Sequence, residues 1–294
     1  MQVQSFLSDV LSYVEELGTP EGLSLAPVKN MGILHKSKRT NMDCGIVEPV
    51  VSLVLQGRKK AFYGTRTMDY GTGDLLVVGQ TMPVLSSVIT PSPDKPFVAV
   101  FVTVDMPILR NLYSEIGPGG AEDDAPHGMD AGQADPELID AMGRLFRLGR
   151  DPVAERALGA ATLREVYFRI LRSPQAGALR QILQIDSKTS RVAKAIAHIH
   201  QQFRAPLKAS DLAEIAGMSV SVFYESFRQV TSSSPLQFQK DLRLLEAHKM
   251  LLLNRNTVSD IAFSVGYESP AQFSREFTRK FGAPPSAIQR AEVA

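Results

Sequence analysis

A chain of 294 residues with one cysteine, no tryptophan and 44% hydrophobic residues is long enough for about two domains and too apolar for global disorder. The single Cys44 excludes a disulfide framework and a cysteine-built zinc site, and no apolar run reaches the ~18 residues of a membrane helix. The net charge of +1 hides an asymmetry: residues 1–185 hold 18 Lys+Arg against 21 Asp+Glu, whereas residues 186–294 hold 14 against 10, which suits the C-terminal third to phosphate backbones. The first basic residue is Lys29, which speaks against a secretory signal, and the expectation is a soluble cytoplasmic protein.

Phe6, Val10, Val14 and Leu17 recur at helical spacing and predict an amphipathic helix within the first twenty residues. From Leu23 to Val104 the texture changes. VVSLVLQG, KAFYG, RTMDYGTGDLLVVG, PVLSSVIT and FVAVFVTVD read as strands about ten residues apart, the pattern of a small sandwich or barrel. Turns are expected at Tyr70-Gly71-Thr72-Gly73-Asp74 and Pro91-Ser92-Pro93-Asp94, because Gly accepts positive φ and Pro presets φ. Residues 117–136, dense in Gly, Pro and acid, lack periodicity and read as a mobile loop. Two amphipathic helices follow, PELIDAMGRLFRLG and PVAERALGAATLREVYFRILRS, each opening with Pro after Asp. Ser173-Pro174 and Gly177 break that pattern, and Val192, Ala195, Ile196, Ile199 and Phe203 begin a second domain. The division is therefore 1–185 and 186–294, in an α+β protein with an all-α C-terminal part.

That C-terminal part contains an internal repeat. Asp211-Leu-Ala-Glu-Ile-Ala-Gly217 resembles Asp260-Ile-Ala-Phe-Ser-Val-Gly266 at an offset of 49 residues, and Ser219 to Phe227 matches Ser269 to Phe277 at an offset of 50. Each copy reads as a short helix, a glycine turn and a second helix whose phenylalanines at i and i+4 face the core, which is a helix-turn-helix (about 209–230 and 258–281). Between them Pro235–Leu253 reads as one helix with Phe238, Leu242, Leu245 and Leu252 on one stripe. At ~1.5 Å per residue it spans roughly 28 Å, a spacer able to set two reading helices in successive major grooves about 34 Å apart.

Residues 187–290 resemble the DNA-binding domain of the AraC/XylS transcription regulators, most tellingly in SDIAFSVGYESPAQFSREFTRKFGAPPSAIQR. EPVVSLVLQGRKKAFYG, DYGTGDLLVV and LREVYFRILRSP resemble the family's sensor type, a cupin-like barrel followed by helices. The resemblance implies a ligand-responsive regulator, more often an activator, that binds promoter DNA, contacts RNA polymerase, works as a homodimer and uses no cofactor. It places base reading on Val220, Ser221, Tyr224 and Glu225 of the first motif and on Pro270, Ala271, Gln272, Ser274 and Arg275 of the second. Arg275 can donate two hydrogen bonds to guanine, and Arg228, Arg243, Arg279 and Lys280 suit phosphates. Glu225 departs from the basic or amphoteric reader of many members; a carboxylate there can accept from cytosine N4. A dimer seam is expected on Leu145, Leu148, Leu163, Tyr167 and Leu171, with internal packing as the alternative.

His35, Lys36, Lys38, Arg39, Arg58, Lys59 and Lys60 place seven potential cations in two short segments. Brought together they form an anion site; otherwise they are the solvated edge of a sheet. The His35-x-x-x-Arg39 spacing resembles the RxxxR arm of cyclic di-GMP-binding PilZ domains, although histidine replaces the first arginine and the second PilZ motif, [DN]xSxxG, is missing. The effector readings are therefore an anion such as cyclic di-GMP, or a sugar, aromatic or aldehyde. A metal-dependent cupin enzyme is the remaining alternative, opposed by the wide separation of His35 and His127. Cys44 is either a buried apolar residue or an exposed thiolate sensor.

Overall fold

The computed structural model describes residues 2–38, 42–89, 91–117, 127–253 and 256–291. The chain opens with α1 (Gln2–Glu16) and continues through β1 (Gly22–Leu25), β2 (Met31–Lys36), β3 (Asp43–Val47), β4 (Val50–Gln56), β5 (Arg58–Tyr63), β6 (Arg66–Gly71), β7 (Asp74–Val78), β8 (Met82–Ile89) and β9 (Phe97–Thr103). After α2 (Met106–Ile116) and β10 (Met129–Gln133) come α3 (Pro136–Leu148), α4 (Pro152–Arg172), a 3-10 turn at Pro174–Ala176 and α5 (Gly177–Leu183). The C-terminal part is helical: α6 (Lys188–Gln202), α7 (Ala209–Ile215), α8 (Val220–Thr231), α9 (Pro235–Leu252), α10 (Val258–Ser264), α11 (Pro270–Phe281) and α12 (Pro285–Ala291). Antiparallel strands followed by helices are the α+β architecture expected from the sequence.

The strands pair into two antiparallel sheets, ordered β1-β2-β9-β4-β7-β10 and β3-β8-β5-β6. Their near-continuous apolar runs follow from burial on both faces. Val51, Leu53 and Leu55 of β4 join Phe6, Val10, Leu138, Phe146, Val166 and Ile170 in a core between the larger sheet and its covering helices. Val54, Leu76, Phe97 and Ala99 face the opposite way and meet Ala61, Tyr70, Val84 and Val88 of the smaller sheet. That second core continues into α6, α7, α8 and α9 through Val192, Ile196, Leu212, Phe223, Phe227 and Phe238. The second helix-turn-helix has a core of its own, built on Leu244, Leu251, Ile261, Phe273 and Phe277.

Three expectations change. Residues 129–133, read within a loop, form β10 and pair with β7 from Met129↔Val78 to Gln133↔Asp74; only one large apolar residue in MDAGQ marks the strand. Of the rest of that stretch, residues 118–126 lie outside the described residues. RTMDYGTGDLLVVG divides into β6 and β7 around the turn expected between Tyr70 and Asp74. The stripe expected to join two protomers is internal instead: Leu145, Tyr167 and Leu171 are each 1% exposed, and the Tyr167 hydroxyl donates to the Thr103 carbonyl at 2.8 Å. On α9 it is Leu251 that is buried, while Leu252 is 40% exposed. No helix among the described residues is long and apolar enough to cross a membrane.

The barrel is fastened to the end of α8 by main-chain hydrogen bonds. Thr65 N donates to Ser232 O at 3.0 Å and Gly128 N to Val230 O at 2.8 Å. The contact is close enough to demand glycine at position 64, where φ is +52° and an added Cβ would lie 2.3 Å from Ser232 O. Gly64→Ala should therefore lower stability by about 1–3 kcal/mol in urea unfolding. It should also speed hydrogen exchange at the Thr65 and Gly128 amides.

Candidate nucleic-acid interface and effector site

The two helix-turn-helix copies are built by the same local bonds. In the first, Met218 N closes the turn on Ala213 O at 2.9 Å; in the second, Tyr267 N closes on Ala262 O at 3.0 Å. The glycines between them take φ +62° at Gly217 and +91° at Gly266, and a Cβ at Gly266 would stand 2.2 Å from Arg204 O. Ser219 and Ser269 cap the second helix of each copy by accepting from Val222 N and Gln272 N. Phe223 and Phe227, and likewise Phe273 and Phe277, turn inward and are fully buried.

Those phenylalanines fix what faces out. Val220, Ser221, Tyr224, Glu225 and Arg228 are exposed on α8, and Ala271, Gln272, Arg275 and Arg279 on α11, with Pro270 and Ser274 half-buried. Gln272 donates to Glu276 at 3.2 Å, a carboxylate that also takes Lys240 at 2.8 Å and the Tyr267 hydroxyl at 2.9 Å. Burial alone would raise the Glu276 pKa, but these hydrogen bonds outweigh it and hold the group below its usual range. An open cleft of about 1020 Å³ separates the two faces, with Tyr224, Glu225 and Arg228 on one side and Arg279 and Lys280 on the other. The barrel forms part of its rim through Gly64 and Thr65.

Two of the residues expected at phosphates have other work. Arg243 is a brace: Nε donates to Phe203 O at 2.6 Å, Nη1 to Gly266 O at 2.7 Å, and Nη2 to the carbonyls of Arg204 and Ala205 at 3.1 Å. One guanidinium on α9 thus ties the end of α6 to the turn of the second motif, and its forked donors are spent on carbonyls. Lys280 is ion-paired to Asp241 at 2.7 Å, linking α11 to α9. Arg228, Arg275 and Arg279 carry no ion pair among the described residues.

The seven cations of the barrel do not gather. Neighbouring residues on a strand point to opposite faces, so the segments divide. Lys36 lies opposite Phe97, and Lys59 opposite Tyr70 and Val88, all on the inner face. His35 turns the other way, is 2% exposed, and its Nδ1 donates to Pro20 O at 3.1 Å. Lys60 lies 3.7 Å from Asp69, and Lys38 and Arg58 are exposed. Arg39 lies outside the described residues. Inside, Lys36 is paired to Asp43 at 2.5 Å. Lys59 has no ion pair among the described residues; its ammonium sits 5.9 Å from the centre of the Phe97 ring, and burial pushes it down to about 8. Asp43, Tyr70 and Phe97 were not among the expected site residues, and only the strand register brings them to Lys59.

Cys44 is half-buried with Sγ 3.2 Å from His248 Nδ1 on α9. Burial, with Asp43 adjacent, pushes its thiol up to about 11, which keeps it protonated at neutral pH.

A two-sheet barrel joined to paired helix-turn-helix motifs is the plan of a one-component regulator, and the sequence matches agree. Residues 27–178, more than half of the chain, match the AraC-type transcriptional regulator N-terminus, and residues 212–291 match a helix-turn-helix domain. The chain belongs to the AraC-type transcriptional regulators. It is 28% identical over 129 residues to the HTH-type transcriptional regulator ExsA of Pseudomonas aeruginosa, covering 44% of this chain and 46% of that one. Several of the curated relatives it matches are likewise aligned over about half of their own length or less. A longer match, 20% identical over 232 residues, is to the lactose operon transcription activator of Staphylococcus xylosus, covering 79% of this chain and 80% of that one. Among solved structures, unsaturated fatty acid-bound ToxT from Vibrio cholerae shares the fold at a TM-score of 0.50 and 9% identity, over 87% of this chain and 94% of that one.

The brace has a measurable consequence. Arg243→Met removes donors from four carbonyls, those of Phe203 and Gly266 half-buried and those of Arg204 and Ala205 exposed, and should lower stability by about 1–3 kcal/mol in urea. Arg243→Lys should recover little of it, since an ammonium cannot span the same four acceptors.

Proposed function

We propose that the chain is a DNA-binding transcription regulator that reads promoter DNA with α8 and α11 and is controlled by a small anionic ligand held between the two sheets. The observation that carries the first half is the pair of exposed polar faces on helices of matching construction, joined by α9, on which Arg228, Arg275 and Arg279 carry no ion pair among the described residues. Eighteen residues at ~1.5 Å each give α9 a length of about 27 Å, in keeping with reading heads set one turn of DNA apart. Arg275 is the principal base reader in this proposal, with Val220, Ser221, Tyr224, Glu225, Pro270, Ala271, Gln272 and Ser274 around it and Arg228 and Arg279 at phosphates. Arg275→Ala should weaken binding to a duplex selected from a random pool by about 1–3 kcal/mol and relax one position. Equal losses on selected and random duplexes would remove Arg275 from base reading.

The second half rests on Lys59, an inward-facing cation with no ion pair of its own among the described residues, whose nearby carboxylate, Asp43, is paired to Lys36. An anionic head accepting from Lys59, with an apolar body against Phe97, Val54 and Val88, suits that interior. The fatty acid in ToxT supports a carboxylate as the head group. Cyclic di-GMP, drawn from the His35–Arg39 spacing, has less support because His35 is committed to Pro20 O and faces away. Activation of transcription, contact with RNA polymerase and pairing of two protomers complete the proposal by analogy with the relatives. For pairing, the exposed Val153, Leu158 and Phe168 on α4 are the available apolar residues.

Calorimetric titration with oleate tests the ligand. Binding should occur in the wild type, fall at least tenfold in Lys59→Met, and weaken as pH rises through 8, where the amine loses its charge. A response to cyclic di-GMP, a sugar or an aromatic aldehyde, with none to oleate, would replace the carboxylate. The sign for stability is opposite. The unfolded amine titrates near 10.5 and the folded one near 8, so folding is penalised below pH 8 and the penalty is relieved between pH 8 and 10.5. Over that window the unliganded wild type should gain stability relative to Lys59→Met.

A further inference from the structure

We infer that the β5–β6 hairpin of the barrel is a third point of contact with DNA, where Arg66 binds a backbone phosphate between the two major grooves. The inference rests on the proposed reading by α8 and α11 and extends the interface into the part of the chain assigned to the ligand. A duplex spanning both helices must cross the cleft between them, presenting there the minor groove and its flanking phosphates. The hairpin tip is on the rim of that cleft: Gly64 and Thr65 line it together with Tyr224, Arg228 and Arg279.

The tip is held in fixed register with α8. Thr65 contributes both its amide and its hydroxyl to Ser232 O, at 3.0 and 3.3 Å. Arg66, the next residue, is exposed and carries no carboxylate partner among the described residues. Its Nη1 instead donates to His127 Nε2. His127 Nδ1 lies 3.3 Å from the Gln229 carbonyl. A carbonyl can only accept and a guanidinium can only donate, so the imidazole carries its hydrogen on Nδ1 and leaves Nε2 free to receive Arg66. The last turn of α8 thereby orients the guanidinium through one ring, without neutralising it. A planar fork presented this way, with other donors open, matches a phosphate. The arrangement also gives the barrel a direct route to DNA affinity: a ligand that shifts β5 at Lys59 moves a strand that ends at this hairpin.

Full-length protein and two fluorescein-labelled 40-base-pair duplexes, one selected from a random pool and one of mixed sequence, provide the test. Wild-type binding is the control for the DNA-reading proposal; its absence on both duplexes would sink that proposal, whereas the present one is decided by the variants. Arg66→Ala should weaken binding severalfold on both duplexes and reduce the slope of log Kd against log salt by about 0.9, the value for one lost phosphate contact. Arg66→Lys should keep most of the slope. Hydroxyl-radical footprinting should show wild-type protection of the backbone between the two grooves and its loss in Arg66→Ala. A slope and footprint unchanged in Arg66→Ala, or tighter binding by that variant, would overturn the inference. Thermal unfolding of both variants at the wild-type midpoint separates a lost contact from a disturbed seam, and a lowered midpoint accompanied by a recovered slope in Arg66→Lys still supports the contact.

Discussion

The carbonyls that end α8 have no partners within their own helix, and the way they are satisfied shapes the whole molecule. A helix leaves its last carbonyls unpaired, and burying them unpaired is costly. Here the barrel supplies the donors through Thr65, Gly128 and His127. The first helix-turn-helix is consequently part of the barrel's packing unit, sharing one apolar core with the space between the sheets. The second, with a separate core, hangs on α9.

This difference between the two copies gives the repeat unequal mechanical roles. The first motif is pinned to the part of the chain that carries Lys59 and its neighbours. The second is positioned through α9 by Arg243, the Lys280–Asp241 pair and the Lys240–Glu276 pair. Those polar links cross between helices where side chains are half-buried, so each is screened less than a surface pair and fixes an angle as well as a distance. A displacement of β5 or β3 can reach the exposed faces of α8 and α11 along two paths, through the end of α8 and through the Cys44–His248 contact on α9. Such coupling requires the ligand to favour one arrangement over another.

Much of the architecture could be read in advance because it depends on local rules. The helix-turn-helix copies announce themselves by glycines where φ must be positive, by capping serines and by phenylalanines four apart. The long spacer follows from apolar periodicity. β10 was hidden because MDAGQ has almost no strand signal and exists by pairing with β7. Leu145, Tyr167 and Leu171 form a stripe that suits a partner helix or a sheet equally well, and the sheet of this same chain occupies it. Arg243 looked like a phosphate ligand because charge is visible in a sequence and an acceptor forty residues away is not.

The amino-acid sequence by itself determined the class of the protein, the two helix-turn-helix motifs and the residues exposed on their second helices, since all of these follow from spacing along single helices. Which cations share a space was decided only by tertiary structure. Strand register sends Lys36 and Lys59 inward and His35 and Lys60 elsewhere, and a shift of one residue would reverse each choice. The same holds for the seam: Thr65, Arg66 and His127 carry no motif, and with Gly64 they matter because the folded chain brings them to the end of α8, where unpaired carbonyls wait for donors.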